Sequence, residues 1–191
     1  MSIIGKPAPA FNAEAAKDGE IVDITLDDYK GKWLVMFFYP LDFTFVCPTE
    51  LVAFSDRAAD FNAAGAELLG VSVDSVHTHL AWMRTPRDEA GVGELNYPLL
   101  SDIHRTIASD YDVLKEDEGV TFRGVFIIDP DGVVQSATVN NLPVGRSVDE
   151  VLRTLKGYQY NKSSGNVCPA NWQDGDEGMA ATLEGVKGHI S

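Results

Sequence analysis

Cys47 stands where the chain changes character. Seven apolar residues, Trp33-Leu34-Val35-Met36-Phe37-Phe38-Tyr39, run without a polar break, which suits a strand covered on both faces. Pro40 ends that strand, because proline brings no N–H to a ladder. A short loop then leads to Cys47-Pro48-Thr49-Glu50. Pro48 suits the first position of a helix, where a missing N–H costs nothing. Leu51, Phe54, Ala58 and Phe61 recur at helical spacing, which predicts a helix from Pro48 to Ala63. A cysteine at such a junction is placed for chemistry: the thiolate is the reactive form, and free backbone N–H groups at a helix N-terminus stabilise it. Thr44 precedes Cys47 by three positions, so a loop that folds back brings its hydroxyl to the sulfur. These residues alone leave a second reading open, a cysteine buried as a small hydrophobe.

The elements that must hold this junction follow from periodicity. Gly5 to Ala10, with two prolines, reads as an extended lead-in. Phe11–Ala15 and Glu20–Leu26 form a hairpin around Lys17-Asp18-Gly19, and Asp27–Lys32 is a polar turn into the buried strand. Glu67–Val73 is a second apolar strand. Ser75 caps a helix that runs to Thr85 and stops before Pro86. Tyr97–Leu100 is a short strand, and Ser101-Asp102 caps a helix from Ile103 to Tyr111. Arg123–Asp129 is a strong strand that turns at Asp131-Gly132 into Val133–Val139. Ser147 opens a helix from Val148 to Tyr160, with Val151, Leu152, Leu155 and Tyr158 on one face. Residues 161–191 are rich in glycine, asparagine and aspartate and read as an irregular arm with a short turn around Met179–Leu183. Strands alternating with helices indicate an α/β chain: a mixed central sheet with helices on both faces. The expected division is a domain over 1–160 and an arm over 161–191.

Composition narrows the function classes. A chain of 191 residues is most simply one domain with a sizeable core. No apolar run approaches the length of a membrane span. Met1 to Phe11 shows no secretory pattern, so cytoplasmic residence is expected. The net charge of −14 disfavours nucleic acid and anionic membrane surfaces as partners. Two cysteines make no disulfide scaffold at this size and are expected reduced at rest. Without a Cys-x-x-Cys the chain is not itself a thioredoxin-type dithiol enzyme. His77 and His79 face different sides of their helix and have no ligand cluster beside them, so no metal is expected. No glycine-rich phosphate loop appears, so no nucleotide or flavin cofactor is expected.

Pro40-x-x-x-Thr44-x-x-Cys47, flanked by Phe38-Tyr39 and Pro48-Thr49-Glu50, resembles the active-site motif of the peroxiredoxins. The resemblance runs from Ile4 to the end of the chain and implies a thioredoxin-like fold. It implies that Cys47 attacks a hydroperoxide and becomes a sulfenic acid, with Pro40 shielding that acid and Thr44 orienting the peroxide. Thr121 to Asp129 is similar to the family's second signature, which makes Arg123 the donor to sulfur and peroxide; the residues alone equally allow an arginine paired at the surface. Glu50 and Arg146 resemble the pair that holds that arginine, although both also read as helix-end charges. Arg146 stands at the wrong end for the helix dipole, which points to a specific partner. A second thiol can quench a sulfenic acid as a disulfide. Val167-Cys168-Pro169-Ala170-Asn171-Trp172 resembles the typical 2-Cys motif, in which the resolving cysteine comes from the partner subunit; the alternative is a spare tail thiol.

The closing Leu183–Ile190 is similar to the tail of the bacterial alkyl hydroperoxide reductase C subunit. Where eukaryotic relatives carry Gly-Gly-Leu-Gly this chain has Gly91-Val92-Gly93, and it lacks their final Tyr-Phe helix; both features imply resistance to over-oxidation. The expectation is thus a peroxidase for hydrogen peroxide and alkyl hydroperoxides. An intersubunit Cys47–Cys168 disulfide would be recycled by a thioredoxin-like reductant or a flavoprotein disulfide reductase. The resemblance also implies homodimers, assembled as a ring of five. The rival readings are a ring-shaped holdase, with Phe43 at a dimer–dimer contact, and a one-cysteine or intramolecular two-cysteine enzyme.

Overall fold

The computed structural model describes residues 2–190; Met1 and Ser191, the outer limits of the segments assigned above, lie outside the described residues. In order, the chain forms β1 (Asn12–Lys17), β2 (Glu20–Thr25), β3 (Trp33–Phe38), α1 (Cys47–Asp56), α2 (Ala58–Ala63), β4 (Ala66–Ser72), α3 (Val76–Arg84) and β5 (Leu99–Ser101). It continues with α4 (Thr106–Asp110), β6 (Leu114–Lys115), β7 (Val120–Thr121), β8 (Arg123–Ile128), β9 (Val134–Asn140), α5 (Val148–Ser164) and α6 (Leu183–Ile190). Two compact units result, Met1–Val148 and Asp149–Ser191.

The first unit is built on a seven-stranded sheet in the order β2-β1-β5-β4-β3-β8-β9. Strands β3, β4 and β5 run parallel and the others pair antiparallel, so the sheet is mixed. Strand β3 lies between β4 and β8, and all six of its residues are buried. Its side chains alternate between two apolar layers. Leu34, Met36 and Phe38 join a core with Leu69, Val71, Phe126 and Ile128, closed by Ile107 and Ala108 of α4. On the opposite face the Phe37 ring stacks on Phe54 of α1 at 4.2 Å and meets Tyr97 edge-on at 5.5 Å. Gly70 on β4 makes room for that layer, since a Cβ there would stand 2.7 Å from Leu99 and 3.3 Å from the Phe37 ring. Phe37→Ala would therefore cost about 3–5 kcal/mol. The β1–β2 hairpin closes through Asp18 and Gly19, both at positive φ.

Two helices of this unit differ from the sequence expectation, each for a local reason. The helix expected over Pro48–Ala63 is two helices, because Arg57 (φ −102°, ψ 4°) leaves helical geometry between them. The inward periodicity survives the break: Leu51, Phe54, Ala58 and Phe61 are all buried. The helix expected from Ile103 begins at Thr106, because Arg105 takes a left-handed conformation. The Asp102 carboxylate still caps it, accepting from the backbone N–H groups of Ile107 and Ala108. Ser75 caps α3 as its position predicts, accepting from the Thr78 N–H.

In the second unit α5 continues past Tyr160 to Ser164, where the Ser163 and Ser164 hydroxyls donate to the Tyr160 carbonyl. The arm is also less irregular than expected. Val167 and Met179 form an antiparallel bridge, and Leu183–Ile190 is a helix. Gly185 and Gly188 lower helix propensity there, which hides the helix from a reading by residue type. Among the described residues, no helix is long and apolar enough to cross a membrane.

Candidate active site

Strand β3 and helix α1 deliver the junction the sequence marks. Cys47 is the first residue of α1 and Pro48 follows in its first turn. No side chain caps this end. Cys47 is only 1% exposed and is a free thiol, so burial and a helix start, separate readings at the sequence level, coincide.

Arg123, at the start of β8 and itself buried, crosses to the sulfur. Its Nη1 donates to Cys47 Sγ at 3.4 Å and to Glu50 Oε2 at 2.7 Å, while Nε donates to the Leu142 carbonyl at 2.7 Å. Arg146 holds the other side of Glu50. Its Nε and backbone N–H both donate to Oε1 at 2.8 Å, and Nη2 donates to Oε2 at 2.9 Å. Arg146 Nη1 donates to the Phe38 carbonyl at 2.8 Å and the Gly124 carbonyl at 2.7 Å, so it ties the ends of β3 and β8 together. Its guanidinium lies 5.3 Å from the Phe37 ring centre, within cation–π range. The Glu50, Arg123 and Arg146 side chains are 3%, 4% and 2% exposed. Neither arginine is a surface pair and neither Glu50 nor Arg146 is a mere helix-end charge. One carboxylate between two guanidiniums leaves one uncompensated positive charge, and the sulfur is the group it faces. Preorganised donors in such a dry site stabilise charge that develops during a reaction far more than they would in water.

Thr44 makes no hydrogen bond to the sulfur in this arrangement. Its hydroxyl donates to the Leu41 carbonyl at 2.8 Å, a turn of its own loop. Pro40 is buried at the end of β3. The loop tip turns outward: Phe45 is 93% exposed, and Phe43 is about half exposed, with its ring 5.7 Å from Trp82.

Cys168 belongs to the second unit and has a different setting. It is half-buried, and its S–H donates to the Gly157 carbonyl at 3.4 Å. A cleft of about 450 Å³ opens beside it, lined by Arg153, Tyr158, Asn161, Pro169 and Asn171. Burial pushes the Cys168 thiol above its ordinary value, and the Arg153 guanidinium opposes that shift. Arg153 also donates to the Trp172 carbonyl at 2.9 Å, and Trp172 is buried with its ring 5.3 Å from Tyr160. The segment around Cys168 is thus pinned by its aromatic neighbour.

Sequence reasoning overlooked a buried polar group under the loop, formed by Tyr39, Asp42, His79 and Asp74. The signal was present: His79 falls on the Val76, Leu80, Met83 stripe of α3, all buried. Among the described residues no three His, Cys, Asp or Glu side chains are grouped to hold a metal.

Known proteins resemble this chain along most of its length. The model of the AhpC/TSA family matches residues 4–137, and that of the C-terminal domain of 1-Cys peroxiredoxin matches residues 157–190. The chain is 57% identical to Peroxiredoxin-2 of Bos taurus over 188 residues, covering 98% of this chain and 94% of that one. Among solved structures, reduced 2-Cys peroxiredoxin of Plasmodium vivax superposes with a TM-score of 0.97 at 45% identity, covering 100% of this chain and 99% of the other. AhpC of Enterococcus faecalis superposes with a TM-score of 0.83 at 35% identity, covering 88% and 100%. A family model spanning most of the chain and relatives matched almost end to end agree: the chain belongs to the typical 2-Cys peroxiredoxins, thioredoxin-like enzymes that reduce hydroperoxides with a thiol.

Proposed function

We propose that Cys47 is the attacking thiol of this peroxidase, Arg123 its charge-bearing partner, and Glu50 with Arg146 the frame that aims Arg123. The observation that carries this assignment is the Arg123 guanidinium, donating to Cys47 Sγ at 3.4 Å and to Glu50 at 2.7 Å, with all three groups buried. The Cys47 thiolate attacks the terminal oxygen of a hydroperoxide. An S–O bond forms as the O–O bond breaks, and the electron pair leaves on the distal oxygen, which takes a proton and departs as alcohol or water. The peroxide is reduced and the sulfur becomes a sulfenic acid. Arg123 meets the negative charge on the leaving oxygen. Thr44 spends its own proton on Leu41, so its oxygen serves as acceptor for the peroxide O–H. Buried Pro40 keeps water from the product.

Residues 161–191 act as the arm that carries the resolving thiol. Cys168 of the partner subunit attacks the sulfenic sulfur, forms the disulfide and releases water. An external dithiol restores both thiols. Hydrogen peroxide and alkyl hydroperoxides are both small enough to serve. A thioredoxin-like reductant is favoured by the 57% identity to a Peroxiredoxin-2, while the Leu183–Ile190 tail favours the bacterial C-subunit type and its flavoprotein reductase. Dimers joined in a ring of five would cover the exposed Phe43 and Phe45. Thiols that cycle through a dithiol reductant suit the reducing cytoplasm.

Peroxide consumption by Cys47→Ser with a thioredoxin-like reductant tests the assignment; undiminished turnover ends it. Cys168→Ser should keep one burst and lose cycling. A covalent dimer on non-reducing electrophoresis after oxidation separates the intersubunit enzyme from the one-cysteine and intramolecular forms. The ring-shaped holdase has the same exposed aromatics in its favour, and client protection that survives Cys47→Ser is its test. Resistance to over-oxidation rests on Gly91-Val92-Gly93; a Cys47 sulfinic acid formed at micromolar peroxide, seen by intact mass, overturns it.

A further inference from the structure

The loop between β3 and α1 carries Pro40 and Thr44 and delivers Cys47, and it is tied down by a buried network the reaction above does not use. Asp42 is its centre, with a side chain fully enclosed. One carboxylate oxygen accepts from the Tyr39 hydroxyl at 2.7 Å and the other from His79 Nδ1 at 2.7 Å. The Asp42 backbone N–H donates to Asp74 Oδ2 at 2.9 Å, an oxygen that also accepts from Ser72 at 2.7 Å. His79, on α3, is equally enclosed, and its Nε2 donates to the Leu100 carbonyl of β5 at 3.3 Å. The groups within hydrogen-bond distance of its ring are Asp42, the Tyr39 hydroxyl at 3.4 Å and that carbonyl, and the Asp74 carboxylate lies near enough to interact with it electrostatically. A carbonyl only accepts, so Nε2 bears a hydrogen, and Nδ1 and the Asp42 carboxyl share a second. A strand, a helix and the loop therefore meet in one buried hydrogen-bonded pair.

Such a pair is a poor source of stability, because desolvating both partners offsets most of their attraction. Its geometric effect is large. Asp42 is fixed two residues before Thr44, and its neighbour Phe43 takes φ +52°, an outlier for a bulky residue that persists only where the surroundings over-determine it. Anchored Asp42 on one side and the Trp82 ring on the other supply that constraint. We propose that Asp42 and His79 form a positioning latch for the Cys47 loop, setting the rate of peroxide attack without touching the reacting atoms. The proposal rests on Cys47 being the attacking thiol.

Two substitutions in the full-length enzyme separate the latch from mere packing. The amide of His79→Asn reaches where Nδ1 stood and keeps the bond to Asp42. The amide of His79→Gln reaches where Nε2 stood and loses it. Trp82, buried with its ring 6.2 Å from Tyr39 and 5.7 Å from Phe43, reports the loop by stopped-flow fluorescence. Expected for His79→Gln is a second-order rate with hydrogen peroxide about tenfold lower, the loss of one buried hydrogen bond that leaves its partner unsatisfied. His79→Asn should stay within about threefold. In both, the Cys168 step and the KM for reductant should not change. Equal rates in the two variants, or equal slowing of both chemical steps, overturn the latch. Tyr39→Phe removes the other bond to Asp42 and conserves the packing, which keeps the test open if His79→Gln does not fold. It should slow attack about threefold, and an unchanged rate overturns the latch. Full activity in Cys47→Ser would instead overturn the attacking-thiol assignment, so the two failures are distinct.

Discussion

The two cysteines of this chain sit in opposite surroundings. Cys47 is enclosed at a helix start and takes a hydrogen bond from a guanidinium that a buried carboxylate holds in place. Cys168 is half-buried, donates its own hydrogen to a carbonyl and faces an open cleft. The first thiol is a charge acceptor in a rigid, dry frame. The second is a donor on a segment held by Trp172 and by the short Val167–Met179 bridge. Sulfur that attacks a peroxide must be ionised and aimed before the substrate arrives. Sulfur that closes a disulfide must instead be free to travel, and its ionisation matters only at the moment of closure.

That contrast breaks most visibly at the sulfurs. Cys47→Ser should lower peroxide consumption by more than about a thousandfold, whereas Cys168→Ser should preserve the first turnover. Rapid-mix measurement of one equivalent of peroxide decides it; loss of the burst in both variants would erase the asymmetry. Next comes the frame. Arg123→Lys keeps the charge but cannot span Cys47, Glu50 and the Leu142 carbonyl at once, so the rate with peroxide should fall about a hundredfold. A lysine variant as fast as the parent would mean that charge alone suffices.

Glu50→Gln sharpens the same point through stability. It leaves two buried guanidiniums facing one another and should cost about 3 kcal/mol in urea unfolding. The smallest expected effect lies at the second cysteine. With Cys47→Ser as background, iodoacetamide alkylation of Cys168 should reach half-rate above the ~8.5 of a free cysteine, because burial disfavours its thiolate. Arg153→Gln should move that midpoint further up, since the guanidinium is the opposing influence. A midpoint at or below the free value would place Cys168 in the same class as Cys47.

Much of the scaffold is legible residue by residue. The unbroken apolar run of β3, the Ser75 cap and the Asp18-Gly19 turn appear where pattern and turn chemistry put them. The helix break at Arg57 and the late start of α4 are not, because a single residue leaving helical geometry barely changes an apolar period. Thr44 shows the limit most plainly: three positions from Cys47, its hydroxyl turns to Leu41 instead.

Local order therefore comes from the residues themselves: which stretch is strand, where the helix carrying Cys47 begins, and that a thiol stands there. The meeting of charges belongs to the folded chain alone. Arg123 and Glu50 are 73 positions apart, Arg146 and Glu50 are 96, and Asp42 and His79 are 37. Resemblance named the first two pairs as candidates, but no local pattern encodes their contact. An arginine at a strand start and another before a helix read as surface charges until the sheet brings β3 and β8 side by side. Only then does the desolvated interior make each of them depend on Glu50.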